Sequence, residues 1–249
     1  ARPRAQAGHP MSRMFEEIDY CATPIGAVSL RRRFDMRLGQ DVHEIMLGQE
    51  FLMTSAFTAS EVALGNLGIA ACKGDALEVV VGGLGLGYTA EAVLGHTSVA
   101  ALHVVEYLAP VIDWHARGLL PMGTRLADDP RCRLVEGDFF AMAAGAGFDP
   151  DRPGRRFDAI LADIDHAPGH LLDARNDSFY RPEGLRTLTR HLQPGGIFGL
   201  WSNEGTDPRF LDRLGAVFAA AWAEPVSFDN PFTGRPFTQT VYLARAAVG

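Results

Sequence analysis

The feature that most constrains this chain is the stretch Leu77-Glu78-Val79-Val80-Val81-Gly82-Gly83-Leu84-Gly85-Leu86-Gly87. An apolar run broken only by Glu78 fits a strand buried on both faces, and such strands belong to parallel sheets covered by helices. The run then empties into glycines. Glycine lets a backbone turn sharply and brings its amides close to a ligand, and a helix start beyond offers unpaired N–H groups. A turn serving packing alone uses the same residues, so the motif needs partners before it means a site.

The rest of the chain supplies the sheet. Further apolar runs stand at residues 102–105, 132–135, 159–162 and 197–201, with helical patterns at 89–94 and 109–118 between the first of them. That alternation predicts an α/β fold with a parallel sheet. Ahead of it, residues 18–54 hold short β-like runs at 25–30, 41–47 and 49–53, which predict a small antiparallel sheet. A helix is expected over 58–72, capped by Thr58 or Ser60 and ended by Gly74. Two β-like runs around Pro231 and Gly234, within 224–243, predict a terminal hairpin. The expected organisation is a flexible leader at 1–14, a small β domain at 15–57 and a nucleoside-binding catalytic domain at 58–249.

Composition enters by exclusion. A net charge of -7 and a pI near 5.6 argue against a nucleic-acid partner, since phosphate binding draws on Lys and Arg. The local basic triplet Arg31 to Arg33 reads as a solvated edge strand. Cys21, Cys72 and Cys132 are odd in number and widely spaced, which suits reduced thiols in a cytoplasmic protein rather than a disulfide framework. No apolar run approaches the roughly 20 residues that cross a membrane, so no membrane partner is expected. His166 and His170 have no obvious third ligand near them, and no metal is expected.

Candidate site residues follow the strand ends. Glu106 closes the run after the glycines, about 20 residues on, where an acid can accept the hydroxyls of a ribose. The fragment Gly85-Leu86-Gly87-Tyr88-Thr89-Ala90 also satisfies a dinucleotide pattern. Asp138 after the third run and Asp163 after the fourth speak against that, because ligands of open parallel sheets lie beyond the carboxyl ends of the strands. Gly82, Gly83, Gly85, Gly87, Glu106, Asp138, Phe139 and Asp163 are therefore the expected nucleoside-binding set. Asp138 suits either the amine of adenine or a cap on the next helix. Asp163-Ile164-Asp165-His166 is dense in proton-carrying groups. A carboxylate there can hold an amine and take its proton, with Asp163 as the expected base and Asp165 and His166 as possible assistants or plain loop residues.

The order of these motifs resembles the spermidine synthase family of polyamine aminopropyltransferases. The residues that carry it are Gly82 to Gly87 with Glu91, Val105-Glu106, Asp129-Pro130-Arg131, Gly137-Asp138, Phe157-Asp158 through Asp163, Phe179-Tyr180 and Leu192-Gln193-Pro194-Gly195-Gly196-Ile197. The resemblance implies a Rossmann-like class I methyltransferase sheet preceded by an N-terminal antiparallel sheet. It implies decarboxylated S-adenosylmethionine, or S-adenosylmethionine itself, as co-substrate, a small-molecule amine as acceptor, and a homodimer. It places Glu106 on the ribose, Asp138 on adenine and Asp163 as the base. The chain departs from the family pattern at Gly85, where an Asp holds the donor's amine, at Ala59 in place of a Tyr, at His166 in place of an Asp, and near Trp201-Ser202 in place of a Gln. Glu61 and Asp165 can partly compensate, and Trp201 or Phe57 can cover an amine by a cation–π contact. The alternatives are a small-molecule methyltransferase, which Gly85 favours, and a nucleoside-binding homologue without activity.

Overall fold

The computed structural model describes residues 14–248, and the chain divides into two compact units between Ala56 and Phe57. The expected leader falls almost wholly outside the described residues. In the first unit, β1 (Phe15–Thr23), β2 (Gly26–Asp35), β3 (Gln40–Leu47) and β4 (Glu50–Thr54) form an antiparallel sheet in chain order. Val28, Leu30, Val42 and Ile45 are its buried apolar residues. The basic triplet corrects the edge-strand expectation, because Arg31 to Arg33 lie on β2 between two neighbours. Arg32 pairs with Glu16 at 2.6 Å, Arg33 with Glu44 at 2.7 Å and Arg31 with Glu17 at 3.8 Å. The covering strand β1 was not visible in the sequence, where the consecutive Glu16 and Glu17 blur its alternation.

The second unit begins with α1 (Ala59–Ala71). Thr58 stands at its N-cap but makes no side-chain capping bond, and Ser60 is turned to other partners, so the expected hydroxyl cap is absent. Gly65 and Gly68 let this helix lie close to its neighbours: a Cβ at Gly65 would come within 2.7 Å of Ala92, and one at Gly68 within 2.6 Å of Leu161. The chain continues through β5 (Leu77–Gly82), α2 (Tyr88–Leu94), β6 (Val99–Glu106), α3 (Ala109–Ala116), α4 (Arg125–Asp128), β7 (Cys132–Glu136), α5 (Phe139–Ala144) and β8 (Phe157–Ala162). A short 3-10 segment at Ala174–Ser178 precedes α6 (Pro182–Thr189), β9 (Leu192–Ser202), α7 (Pro208–Gly215) and the terminal hairpin of β10 (Ala220–Asn230) and β11 (Arg235–Arg245).

These strands form one seven-stranded sheet ordered β10-β11-β9-β8-β5-β6-β7. The pairs among β5 to β9 are parallel, whereas β11 pairs antiparallel with β9 and β10. Val79, Val80, Val81, Ile160, Leu161 and Phe198 are fully buried, as expected of strands covered on both faces. From β5 the chain builds outward to β6 and β7, then returns to place β8 on the other side of β5. Strand order reverses there, and the crevice beyond such a switch point is where open α/β sheets bind ligands. Among the described residues no helix is long and apolar enough to cross a membrane, and no disulfide joins the three cysteines.

Candidate active site at the switch point

The glycine turn leaves β5 at the switch point. Gly83, Gly85 and Gly87 have φ values of +89°, +46° and +93°, in the left-handed region that favours glycine. At Gly83 space is also decisive, since a Cβ would stand 2.1 Å from the carbonyl oxygen of Asp163. The Asp163 amide in turn donates to the Gly82 carbonyl at 2.8 Å. The glycines therefore do packing work as well as turning: Gly83 lies against the end of β8, and Gly87 against Leu126 and His115. Phe139 takes the space left by Gly82, where a Cβ would meet its ring at 2.4 Å. The ring is 2% exposed and stacks on Phe148, with centroids 4.9 Å apart, so it lies in the core rather than open to a ligand.

Glu106 ends β6 and faces the turn. Its Oε2 accepts from the amides of Leu84 at 2.9 Å and Gly85 at 3.4 Å, and its Oε1 accepts from Leu108 at 2.8 Å. Burial pushes its pKa up, and the amide bonds oppose that. The Tyr107 amide adds a fourth backbone bond, so the roughly four lone-pair sites of the carboxylate are taken up by the turn and the start of the next segment, and a ribose hydroxyl would share or displace one of them. Asp138 is exposed at the start of α5. Its Oδ1 accepts from Phe140 at 2.9 Å and Ala141 at 3.1 Å, which makes it the helix cap foreseen as one of its two readings.

Asp163 follows β8 directly. Its Oδ2 accepts a 2.6 Å hydrogen bond from the Thr89 hydroxyl, and burial pushes its pKa up to about 6 while that bond pulls the other way. Glu61, in the first turn of α1, is 8% exposed. Burial, and after it the charge of Asp163, pushes Glu61 up to about 7. Two carboxyl groups so placed do not both ionise easily, which suits a site that receives a cation.

Behind Glu61 lies a polar network that the sequence did not announce. Ser60 Oγ is 2.8 Å from Glu61 Oε2 and 2.6 Å from Gln239 Oε1, and it accepts from Trp201 Nε1 at 2.7 Å. Gln239 Nε2 donates to Asn203 Oδ1 at 2.6 Å. Gln239 comes from β11, so the fold puts beside Ser60 a glutamine amide that the residues next to Trp201 do not supply. The indole N–H of Trp201 is tied into this network. Phe57 packs on Phe228 and Phe232, with centroids 5.5 and 5.6 Å away.

Asp165 is 2% exposed and bound to the following loop: Oδ1 accepts from the Leu172 amide at 2.8 Å, Oδ2 from the Tyr180 hydroxyl at 2.8 Å, and Asn176 reaches both oxygens at 3.3 to 3.4 Å. Burial raises its pKa. The His166 ring lies 5.4 Å from that of His170, which stands 4.0 Å from Glu204. Among the described residues no group of three or more His, Cys, Asp or Glu side chains is placed to hold a metal. The structure thus gathers the glycine turn, Glu106 and Asp163, while Phe139 and Asp165 point into packing and loop contacts. Thr89 is the residue missed: its only signal was a hydroxyl in the first turn after the glycines.

No family model matches the chain. Among solved structures, the spermidine synthase of Thermotoga maritima aligns with a TM-score of 0.68 at 18% identity, over 94% of this chain and 73% of that one. A spermidine synthase in complex with the transition state analogue AdoDATO aligns with the same TM-score, identity and coverage. The chain therefore has the fold of these structures, a four-stranded antiparallel sheet followed by a class I methyltransferase-like domain.

Proposed function

We propose that this protein is a transferase that moves an aminopropyl group from decarboxylated S-adenosylmethionine to an amine, with Asp163 as the base. The amine nitrogen forms a bond to the carbon attached to the sulfonium sulfur, the carbon–sulfur bond breaks with its electron pair going to sulfur, and methylthioadenosine leaves. The nitrogen's surplus proton passes to Asp163. Neither reactant needs covalent help from the protein, so its share is alignment, exclusion of water and proton acceptance.

The observation that carries the reading is the juxtaposition of Asp163 with the glycine turn, the Asp163 amide on Gly82 O and the Thr89 hydroxyl on its carboxylate. A nucleoside cradled by the turn and held at its ribose by Glu106 would present its sulfonium side to Asp163 and Glu61. Phe139 contributes by shaping the turn from beneath, Asp138 by starting α5 beside the nucleoside, and Asp165 by fixing the loop from residue 172 to 180. His166 borders the same loop. A pKa raised by burial suits a group that must be ionised to bind an ammonium yet able to take a proton near neutrality.

Transfer of a methyl group from S-adenosylmethionine is the second reading, favoured by Gly85. That position lacks the acid that would hold the decarboxylated donor's amine, and so brings no negative charge against the carboxylate of the intact donor. Calorimetric titration with both donors and with methylthioadenosine separates the two. Binding of the decarboxylated donor with rejection of the intact one supports the proposal, the reverse transfers it to methylation, and failure of all three to bind removes the nucleoside site altogether.

A further inference from the structure

The Thr89 hydroxyl has a single proton and two acceptors. It stands 2.6 Å from Asp163 Oδ2 and 3.2 Å from the carbonyl oxygen of Glu61, and its side chain is buried at 3% exposure. A hydroxyl has one O–H to give and two lone pairs to receive with, so it can donate to only one of these oxygens at a time. While Asp163 is ionised, the shorter contact takes the proton. When Asp163 holds its proton on Oδ2, that oxygen becomes the donor, and Thr89 accepts from it and turns its own O–H to the Glu61 carbonyl. The hydrogen bond between Thr89 and Asp163 Oδ2 is then kept in both states without movement of a heavy atom.

We propose that Thr89 is a positioning residue that holds the Asp163 carboxyl in one orientation through both of its protonation states, by reversing the direction of its hydrogen bond. This rests on Asp163 being the proton acceptor of the reaction, and deepens that reading by naming the group that lets the proton arrive without the acceptor swinging away. The reason is energetic: a partly buried carboxyl that lost its partner on protonation would leave an unsatisfied donor, and would rotate to find another.

The charged groups around Asp163 leave this role to Thr89. From α1, Glu61 is the titratable neighbour, and its Oε2 is taken by the Ser60 hydroxyl at 2.8 Å. On the Asp163 segment itself, Asp165 is bound to Leu172 and Tyr180, and the backbone of His166 accepts from Asn203. From α2, Glu91 is paired with Arg125 at 2.7 Å. From β6, Glu106 is bound to the amides of the glycine turn. The side chain that donates to Asp163 is Thr89.

The test is a pH titration of the Asp163 carboxyl carbon by NMR in selectively labelled wild-type protein and in Thr89→Val and Thr89→Ser variants, alongside turnover. Val keeps the shape without the hydroxyl; Ser keeps the hydroxyl. Loss of a donor that binds the ionised form about twice as strongly as the neutral one should raise the Asp163 pKa by about one unit in Thr89→Val. Thr89→Ser should restore the wild-type titration, and the acid limb of turnover should move with it. An Asp163 titration unchanged in Thr89→Val, or altered equally in Thr89→Ser, overturns the proposal. A shift with rescue, in a protein whose turnover survives Asp163→Asn, would keep the positioning and discard the base, so the two ideas fail separately.

Discussion

Replacing Glu61 by Gln should make the protein more stable in alkaline solution and leave it unchanged in acid. Glu61 is 8% exposed, and its pKa is raised from 4.5 to about 7 by burial first and by the Asp163 charge second. Below pH 4.5 the carboxyl is neutral in the folded and the unfolded chain alike. Between 4.5 and about 7 the unfolded chain releases the proton while the folded chain keeps it, so stability falls as pH rises. Above that window the folded protein carries the full cost of a buried charge. At about 1.36 kcal/mol per pH unit this comes to roughly 3 to 4 kcal/mol, an upper figure because Asp163 shares in it. Gln keeps the volume and still offers Ser60 an acceptor, so the difference isolates the charge. Urea unfolding at a series of pH values from about 4 to 8 measures it, as a midpoint difference that grows with pH at constant slope m. A difference that does not vary with pH, or a variant less stable than the parent at the alkaline end, would show that Glu61 is not held against its ionisation.

Three more perturbations probe the site. Asp163→Asn should keep methylthioadenosine affinity within a few-fold while turnover drops by roughly 100-fold or more, measured by thioether release; undiminished turnover would remove Asp163 from the chemistry. Gly83→Ala places a Cβ 2.1 Å from the Asp163 carbonyl oxygen at a φ of +89°, and should lower stability by about 3 kcal/mol or more, read from thermal unfolding. Tyr180→Phe removes the donor to Asp165 Oδ2, a loss of about 1.5 to 3 kcal/mol that should appear in urea unfolding together with faster proteolysis within residues 172–180.

Local pattern fixes a good deal of this protein. The valines of β5, the alternation of apolar runs with helical stretches and the turn residues between them are properties of neighbouring positions, so the parallel sheet, the antiparallel sheet ahead of it and the closing hairpin were legible from residue types and spacing. The glycine turn, Glu106 and Asp163 were legible for the same reason, since each stands at the carboxyl end of a strand. What could not be read needs elements far apart in the chain to meet. Ser60 and Gln239 bond across 179 positions and Thr89 reaches Asp163 across 74. No periodicity encodes such pairs, and the raised pKa values of Glu61 and Asp163 come from solvent excluded by those distant elements. Tertiary packing likewise sent the Phe139 ring into the core, bound Asp165 to its loop and covered the arginines of β2 with β1. Hydrophobic spacing states which face of a segment is buried; only the folded chain decides what that face is buried against.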